Sequence, residues 1–117
     1  MFINLTNHPS ADWSEEQLKA AHQYGEVVDL SFPDIKPYYT KEEVLRIVKE
    51  YVDMIMQMKE KDTVIHVMGE MTFTYNIVST LKAIGINCLA STTKRNTVMT
   101  PDGKKLSDFG FVQFREY

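Results

Sequence analysis

Apolar residues recur along the chain at two spacings, which predict alternating strands and helices. Short apolar, β-branched runs predict strands at residues 2–5, 27–30, 63–68 and 87–91. Between them, apolar residues three and four positions apart predict helices at residues 14–24, 40–58 and 74–84. Strands separated by helices normally join through right-handed crossovers, so we expect these four strands to pair in parallel.

Two of the predicted helices begin with a capping box. Ser14 is followed by Gln17, and Thr40 is followed by Glu43. In this spacing the first side chain accepts a hydrogen bond from a free backbone N–H group of the first turn. The sequence therefore predicts helix starts at Ser14 and Thr40.

The last third of the chain has a different pattern. Residues 97–99 and 106–114 alternate as strands do, and they flank the turn sequence Pro-Asp-Gly-Lys at 101–104. This predicts an antiparallel β-hairpin. We therefore expect one α/β domain over residues 1–117: a small Rossmann-like fold with a parallel four-stranded core, β-α-β-α-β-α-β, followed by the C-terminal hairpin.

Charge and composition narrow the classes of partner. The net charge is −3, which argues against binding to long nucleic acids. No apolar stretch is long enough to span a bilayer, and the first residues lack the pattern of a secretory leader, so we expect no membrane contact and a cytoplasmic location. The single cysteine, Cys88, lies in an apolar run and is expected to be a buried, inert thiol.

Polar residues follow the predicted strands, and the carboxyl ends of parallel strands share the edge of the sheet where ligands bind. After the third strand, Gly69 permits close approach to the backbone, and Thr72 or Thr74 can cap the next helix. The free N–H groups of that first turn, together with the helix dipole, favour an anion. We expect Glu70 to pair with Lys94 or Arg95 rather than to act as a base.

A loop predicted at residues 91–95 faces this helix start. The hydroxyls of Ser91, Thr92 and Thr93 can hydrogen-bond phosphate oxygens, and Lys94 and Arg95 add positive charge. The sequence therefore predicts phosphate or nucleotide contact at this loop, the alternative being an idle basic loop.

Residues 7–10 follow the first strand and complete the predicted edge. Asn7, His8 and Ser10 supply polar groups, and His8 could transfer a proton or bind a phosphate. His22 and His66 are assigned to packing. The histidines share no ligand spacing with Cys88 or with a carboxylate cluster, and no phosphate-binding glycine loop is present. We predict no metal and no cofactor.

Three segments carry a family resemblance: residues 2–10, Phe-Ile-Asn-Leu-Thr-Asn-His-Pro-Ser; residues 67–74, Val-Met-Gly-Glu-Met-Thr-Phe-Thr; and residues 90–95, Ala-Ser-Thr-Thr-Lys-Arg. They resemble small stand-alone bacterial proteins encoded beside type III CRISPR systems, a group similar to the CRISPR-associated Rossmann-fold domains that sense cyclic oligoadenylates. The last motif departs from its commoner form, in which an acidic residue stands where this chain has Lys94.

The resemblance implies a role in antiviral defence, with a cyclic oligoadenylate lying across a homodimer. Such a protein either binds the ring or cleaves it without metal, by setting a ribose 2′-hydroxyl against the next phosphate. For cleavage the candidate catalytic residues are His8, Lys94 and Arg95. Independently, Phe109, Phe111 and Phe114 on a terminal hairpin favour a second copy as partner. A generic nucleotide- or phosphometabolite-binding protein and a purely structural subunit remain as alternatives.

Overall fold

The structure, a computed structural model, describes residues 1–117. It contains three α-helices, one 3-10 turn at Ser10–Asp12 and five strands. The strands are β1 (Phe2–Thr6), β2 (Val27–Asp29), β3 (Val64–Met68), β4 (Asn87–Met99) and β5 (Lys105–Glu116), and the helices are α1 (Glu15–His22), α2 (Lys41–Met58) and α3 (Met71–Ala83). No helix combines the length and the apolar character that crossing a bilayer requires.

All five strands form one sheet in the order β2-β1-β3-β4-β5. The pairs β1–β2, β1–β3 and β3–β4 are parallel, whereas β4–β5 is antiparallel. The predicted mixed α/β fold and C-terminal antiparallel hairpin are confirmed.

The two capping boxes form as predicted. The Ser14 hydroxyl accepts from the backbone N–H of Gln17 at 3.2 Å, and the Thr40 hydroxyl accepts from that of Glu43 at 3.2 Å. Each cap satisfies an N–H group that has no partner within its helix. The local sequence therefore determines where α1 and α2 begin.

The fourth strand is much longer than predicted. It does not end at Ser91 but continues to Met99, so residues 91–95 belong to a strand and not to a loop. Its pairing with β3 covers only three positions, ending at His66 with Leu89, while β5 accompanies it from Leu89 to Met99. The hairpin therefore projects beyond the sheet, and the radius of gyration, 16.2 Å, exceeds the about 13 Å of a compact chain of similar length.

The core divides between the two faces of the sheet, because successive strand residues point to opposite sides. On the face covered by α2 and α3, a cluster of 13 buried residues includes Ile3, Leu5, Ile65 and Val67. On the α1 face the buried apolar cluster is smaller and contains four residues, Phe2, Ala21, Val64 and Leu89. The α1 face is therefore where the sheet has room for a site.

Cys88 lies in the larger cluster with 1% of its surface exposed. Burial raises the pKa of its thiol to about 11, a little offset by the nearby Lys82. The predicted burial of this thiol is confirmed, and at neutral pH it is not a thiolate nucleophile.

Candidate ligand-binding site

A cavity of about 560 Å³ opens on the α1 face, at the carboxyl ends of β1 and β3 and beside the hairpin. Its lining comes from four parts of the chain: Thr6, Asn7 and His8 from the end of β1 and the loop after it; Asp12, Trp13, Ser14 and Gln17 from the 3-10 turn to α1; His66, Met68 and Gly69 from β3 and the residue after it; and Ser91, Thr93, Phe109, Gly110 and Phe111 from the hairpin. The volume lies within the roughly 300–1,000 Å³ typical of small-molecule sites.

The structure brings five of the eleven predicted binding residues to this cavity, namely Asn7, His8, Gly69, Ser91 and Thr93. The other six do not line it, namely Ser10, Thr72, Thr74, Thr92, Lys94 and Arg95. Among these, the Ser10 side chain donates to the carboxylate of Asp29 at 2.9 Å. Thr74 lines a second, more apolar groove of about 460 Å³ between α3 and Tyr117.

The division within residues 91–95 follows from their being a strand. Side chains of a strand alternate between its faces, so Ser91, Thr93 and Arg95 share the cavity face, whereas Thr92 and Lys94 point to the other. Arg95 pairs across the hairpin with Phe109, one pair beyond Thr93 with Phe111. Arg95 therefore lies one step beyond the lining residues on the same face, and its guanidinium lies 3.4 Å from the hydroxyl of Ser107, further out along the hairpin.

The start of α3 is already occupied by a carboxylate of the chain itself. Glu70, and not Thr72 or Thr74, caps this helix: it accepts from the backbone N–H groups of Thr72 at 3.0 Å and Phe73 at 2.8 Å. The prediction that these N–H groups are free for an anion is therefore wrong. A carboxylate at the N-cap binds them without loss of translational entropy and interacts favourably with the helix dipole.

The predicted ion pair between Glu70 and Lys94 or Arg95 is also absent, and the ion pair that forms joins Lys36 to Asp34. Partial burial works against ionisation of Glu70. Hydrogen bonds from the Thr72 side chain and the backbone of Phe73 and Thr72 outweigh that effect, and the pKa of Glu70 is lowered. Glu70 is therefore a charged capping group rather than a general base.

Gly69 does allow a close approach, but from a side chain of the protein. A Cβ atom built on Gly69 would lie 2.3 Å from Cζ of Phe32, which follows β2. The Phe32 ring packs edge-on against Phe73 with 5.1 Å between centroids. The absence of a side chain at Gly69 thus lets the loop after β2 close over α3.

A buried amide organises the polar groups beneath the cavity. Asn4 is 1% exposed, and its Nδ2 donates to the carbonyl of His8 at 2.9 Å and to Oδ1 of Asp29 at 2.8 Å. Its Oδ1 accepts from the Thr6 hydroxyl at 2.9 Å and lies 3.0 Å from Nδ1 of His66. Because two acceptors face one end of this amide, that end must be the NH₂ group.

The orientation of Asn4 sets the tautomer of His66. Since Oδ1 of Asn4 can only accept, Nδ1 of His66 carries a hydrogen, and Nε2 of the neutral ring has a free lone pair. Burial lowers the pKa of His66 from 6.5 to about 4, so the ring is neutral at pH 7. His66 is 2% exposed, its Nε2 has no hydrogen-bond partner, and it lines the cavity.

The assignment of His66 to packing alone missed this arrangement. Polar residues interrupt two otherwise apolar strands at positions that lie side by side, Asn4 in β1 and His66 in β3. That interruption is visible in the sequence. The sequence does not show that β1 and β3 align so that Asn4 and His66 are neighbours.

Aromatic rings pack around His66. The rings of Phe2, Trp13 and Phe114 have centroids 5.7, 5.6 and 5.1 Å from that of His66. Trp13 is held in place by a hydrogen bond of 3.1 Å from its Nε1 to the carbonyl of His8. Of these three rings only Trp13 lines the cavity, and the Nε2 atom of His66 is itself buried.

Formal charge is scarce in the cavity. Asp12 is the only Asp, Glu, Lys or Arg among the lining residues. No group of three His, Cys, Asp or Glu side chains is placed to hold a metal ion. The lining therefore suits an uncharged planar group.

Comparison with known proteins identifies the family. The chain matches a family model described as Uncharacterized protein MJ1673 family over residues 1–115. It belongs to the MJ1673 family. No curated protein and no solved structure matches the chain.

The family description names no ligand, so the chemistry of this MJ1673-family chain is argued from the cavity. Its groups can stack a planar ring and can donate and accept hydrogen bonds. His8, the one candidate catalytic residue in the lining, donates its backbone N–H to the Thr6 hydroxyl at 3.1 Å, which fixes its backbone beside the cavity.

Proposed function

We propose that this protein binds a cyclic oligoadenylate in the cavity on the α1 face, and that it serves type III CRISPR antiviral defence in the cytoplasm. The observation that carries the proposal is the cavity itself, which is lined by Trp13 and Phe111 and by the hydroxyls of Ser91 and Thr93, with Arg95 next on the same face of β4. The scaffold we propose is a small Rossmann-like domain, supported by the parallel pairs β1–β2, β1–β3 and β3–β4.

The cavity and the adjoining stretch of β4 suit the two ends of an adenylate unit. Aromatic faces bind bases by stacking, and Trp13 and Phe111 line the cavity. Beside them, Ser91, Thr93 and Arg95 follow one another along one face of β4, about 7 Å apart. The base would lie against the rings and the phosphate near Arg95, with hydroxyls between them.

A homodimer is the second part of the proposal. The outer hairpin carries apolar side chains that nothing in one chain covers, and Val98, Leu106 and Phe109 are each more than 60% exposed. Phe109 also lines the cavity, so the uncovered surface continues into the site. A second copy packed on this surface would bury these side chains and place two cavities near one another, as a two-fold symmetric ring requires.

Metal-independent cleavage of the ring is a second candidate, because His8 lies in the cavity beside hydroxyl groups. In that reaction the ribose 2′-hydroxyl attacks the adjacent phosphate, the 2′-oxygen–phosphorus bond forms, and the bond to the 5′-oxygen breaks. His8 would accept the 2′-proton, and the leaving 5′-oxygen would gain a proton from water. Arg95, one step beyond the lining residues, would stabilise the charge on the phosphate oxygens.

Binding and cleavage are separated in one experiment. The purified chain is titrated in EDTA with labelled cyclic tetra-adenylate and cyclic hexa-adenylate, and the fluorescence of the single tryptophan, Trp13, reports occupancy. We expect saturable binding at micromolar concentration or tighter, and chromatography then shows whether linear products form. If the cyclic oligoadenylates remain intact, the cleavage hypothesis is rejected.

Arg95→Ala should weaken ring binding about tenfold, because it removes the charged donor next to the cavity. Lys94→Ala is the matched control, since it removes a positive charge from the neighbouring position on the opposite face and should change binding little. The cyclic oligoadenylate proposal fails if neither ring binds, and equal affinity for adenosine monophosphate supports a generic nucleotide site instead.

A further inference from the structure

The outer part of the hairpin has no third strand beside it. The pairing of β4 with β3 ends at Leu89, so beyond that residue β4 has β5 as its only neighbour. Two paired strands alone are marginally stable in water at best, and a third strand or a covering layer is normally needed. The apolar side chains of Val98, Leu106 and Phe109 are each more than 60% exposed, so no other part of this chain supplies that layer.

The free edge of the sheet lies on β5, which pairs only with β4. Edge strands that stay unpaired are usually short, or they are interrupted by proline, by a bulge or by inward-pointing charges. β5 is 12 residues long and contains no proline, and its stretch Lys105–Phe109 is exposed throughout. Its one irregularity lies at Val112, beyond that stretch. The outer half of β5 is therefore open to a further strand.

The turn of the hairpin shows which residues of β5 direct their backbone groups to this edge. The backbone N–H of Thr100 donates to the carbonyl of Lys104 at 2.8 Å. In an antiparallel ladder every second pair exchanges such bonds, and the residues between those pairs direct N–H and C=O away from the partner strand. Ser107, Phe109 and Phe111 therefore direct both groups to the free edge.

This part of β5 is complementary to a second copy of itself. In an antiparallel pair with a two-fold axis at Phe109, Phe109 faces Phe109 of the second copy, and Ser107 faces its Phe111. All of these residues direct their backbone groups to the edge, so each facing pair can exchange two hydrogen bonds. The sequence of the strand thus allows a closed two-fold pairing, which a segment of unrelated sequence would not share.

The side chains agree with the same register. Leu106 lies opposite Val112 of the second copy, and these residues are 61% and 55% exposed in one chain. Asp108, the one charged residue of the paired stretch, lies opposite Gly110, so no like charges face each other. Cross-strand apolar pairs stabilise a sheet, whereas like charges directly opposite destabilise it.

We propose that this protein dimerises by pairing β5 of two copies antiparallel about Phe109, which joins their two five-stranded sheets into one continuous sheet. This inference rests on the homodimer of the proposed function, but it needs no ligand. The two-fold axis of such a pair is perpendicular to the sheet. Both α1 faces, and with them both cavities, therefore open on the same side.

The second copy then contributes to each site. Phe109 lines the cavity, and Phe109 of the second copy lies next to it on the same face. Arg95 pairs with Phe109 across the hairpin, so the two Arg95 residues are separated by three strand spacings, about 14 Å. Two cationic side chains on one face, between two cavities, suit two phosphates of one cyclic ligand.

Sedimentation equilibrium of the full chain without ligand measures the association, and we expect a dimer at micromolar concentration. Ser107→Pro removes an outward N–H but none of the bonds to β4, and it should weaken the dimer at least about tenfold, because two symmetry-related hydrogen bonds are lost. Ser107→Ala keeps the N–H and is the matched control, with an expected change below about twofold.

A cysteine cross-link tests the register without a proline. Phe109→Cys places two thiols at the axis, where the Cα atoms of a hydrogen-bonded pair lie about 5.5 Å apart, within reach of a disulfide. In Ser107→Cys the two thiols would be four residues, about 13 Å, apart along the strands, which is too far. We expect oxidation to give a covalent dimer of Phe109→Cys and not of Ser107→Cys. Cys88 is buried and adds no background.

A chain that stays monomeric at high concentration overturns the inference and leaves the edge open to an extended segment of another protein. Equal cross-linking of the two cysteine variants overturns it as well, and so does a dimer that a folded Ser107→Pro leaves intact. If Ser107→Pro does not fold, the cysteine variants decide. A monomer that binds a cyclic oligoadenylate refutes the pairing alone, whereas the expected dimer without any ring binding refutes the proposed ligand alone.

Discussion

The two faces of the sheet are built from the same strands but have different contents. In β1, Ile3 and Leu5 join the large apolar cluster beneath α2 and α3, while Asn4 and Thr6 lie on the α1 face. All three buried polar side chains of β1 and β3, namely Asn4, Thr6 and His66, are on that second face. One face therefore supplies hydrophobic stabilisation, and the other carries a network of hydrogen-bonded polar groups in which only Nε2 of His66 lacks a partner.

The largest expected effect comes from the α2 and α3 face. Leu5→Ala removes a fully buried side chain and should lower the free energy of unfolding by about 3 kcal/mol, measured by urea denaturation. Leu45→Ala, at a position of α2 that is 40% exposed, should cost less than about 1 kcal/mol. Equal losses at the two positions would contradict the assignment of the core to this face.

The α1 face should make stability depend on pH. The pKa of His66 is about 4 in the folded protein and 6.5 when unperturbed, so between these values the unfolded chain binds a proton that the folded chain does not. The contribution of His66 to the free energy of unfolding is fully present above pH 6.5. It is lost as the pH drops through 4, by up to about 3 kcal/mol in total.

Urea denaturation at pH 7, 5.5 and 4 measures this loss. Carboxylates also titrate at the acidic end, so the informative quantity is the difference between the unmodified protein and His66→Phe. That difference should change with pH, whereas His22→Phe should follow the unmodified protein. Parallel curves for His66→Phe and the unmodified protein would rule out the buried neutral imidazole.

Gly69 connects the two faces of the sheet, since it lines the cavity on the α1 face and also contacts Phe32. Gly69→Ala should cost about 2 kcal/mol, because the new methyl group overlaps the Phe32 ring at 2.3 Å. Gly110→Ala is the matched cavity glycine, where the nearest atom is a side-chain nitrogen of Asn96 at 3.3 Å, and it should cost less. A larger loss of stability at Gly110 than at Gly69 would mean that the Phe32 ring can move aside at little cost in free energy.

The smallest effect is expected at the start of α3. Glu70→Ala removes the cap and should cost about 1 kcal/mol, while Glu70→Asp retains a capping carboxylate and should cost less. The variant also frees the N–H groups of Thr72 and Phe73. Stronger ring binding by Glu70→Ala would indicate that this helix start can serve as an anion site once its own carboxylate is gone.

Local patterns predicted much of the fold. The caps at Ser14 and Thr40, the turn before Lys105 and the apolar spacing of α2 act over a few residues, and each was confirmed. The sequence does not predict the length of β4, because Ser91, Thr92 and Thr93 are polar and such a run is typical of a loop. Pairing with β5 satisfies their backbone groups, so the strand continues past the edge of β3.

The candidate site was predicted less completely, for the same reason. Asn7, His8 and Gly69 follow strands and reach the cavity as expected, but Lys94 was assigned to a loop and instead faces away from the cavity. Strand alternation alone separates it from Thr93 and Arg95. His66 was missed because a histidine within an apolar strand normally only packs, and its neighbours Asn4 and Trp13 are more than 50 residues away along the chain.

The sequence by itself determined where α1 and α2 begin, their caps and the hairpin, since these depend on the spacing of apolar residues and on hydrogen bonds within one turn. The tertiary structure alone decided which polar groups meet. Asn4, Asp29 and His66 lie on three different strands, and only the register of the sheet brings them into one hydrogen-bonded network beneath the cavity.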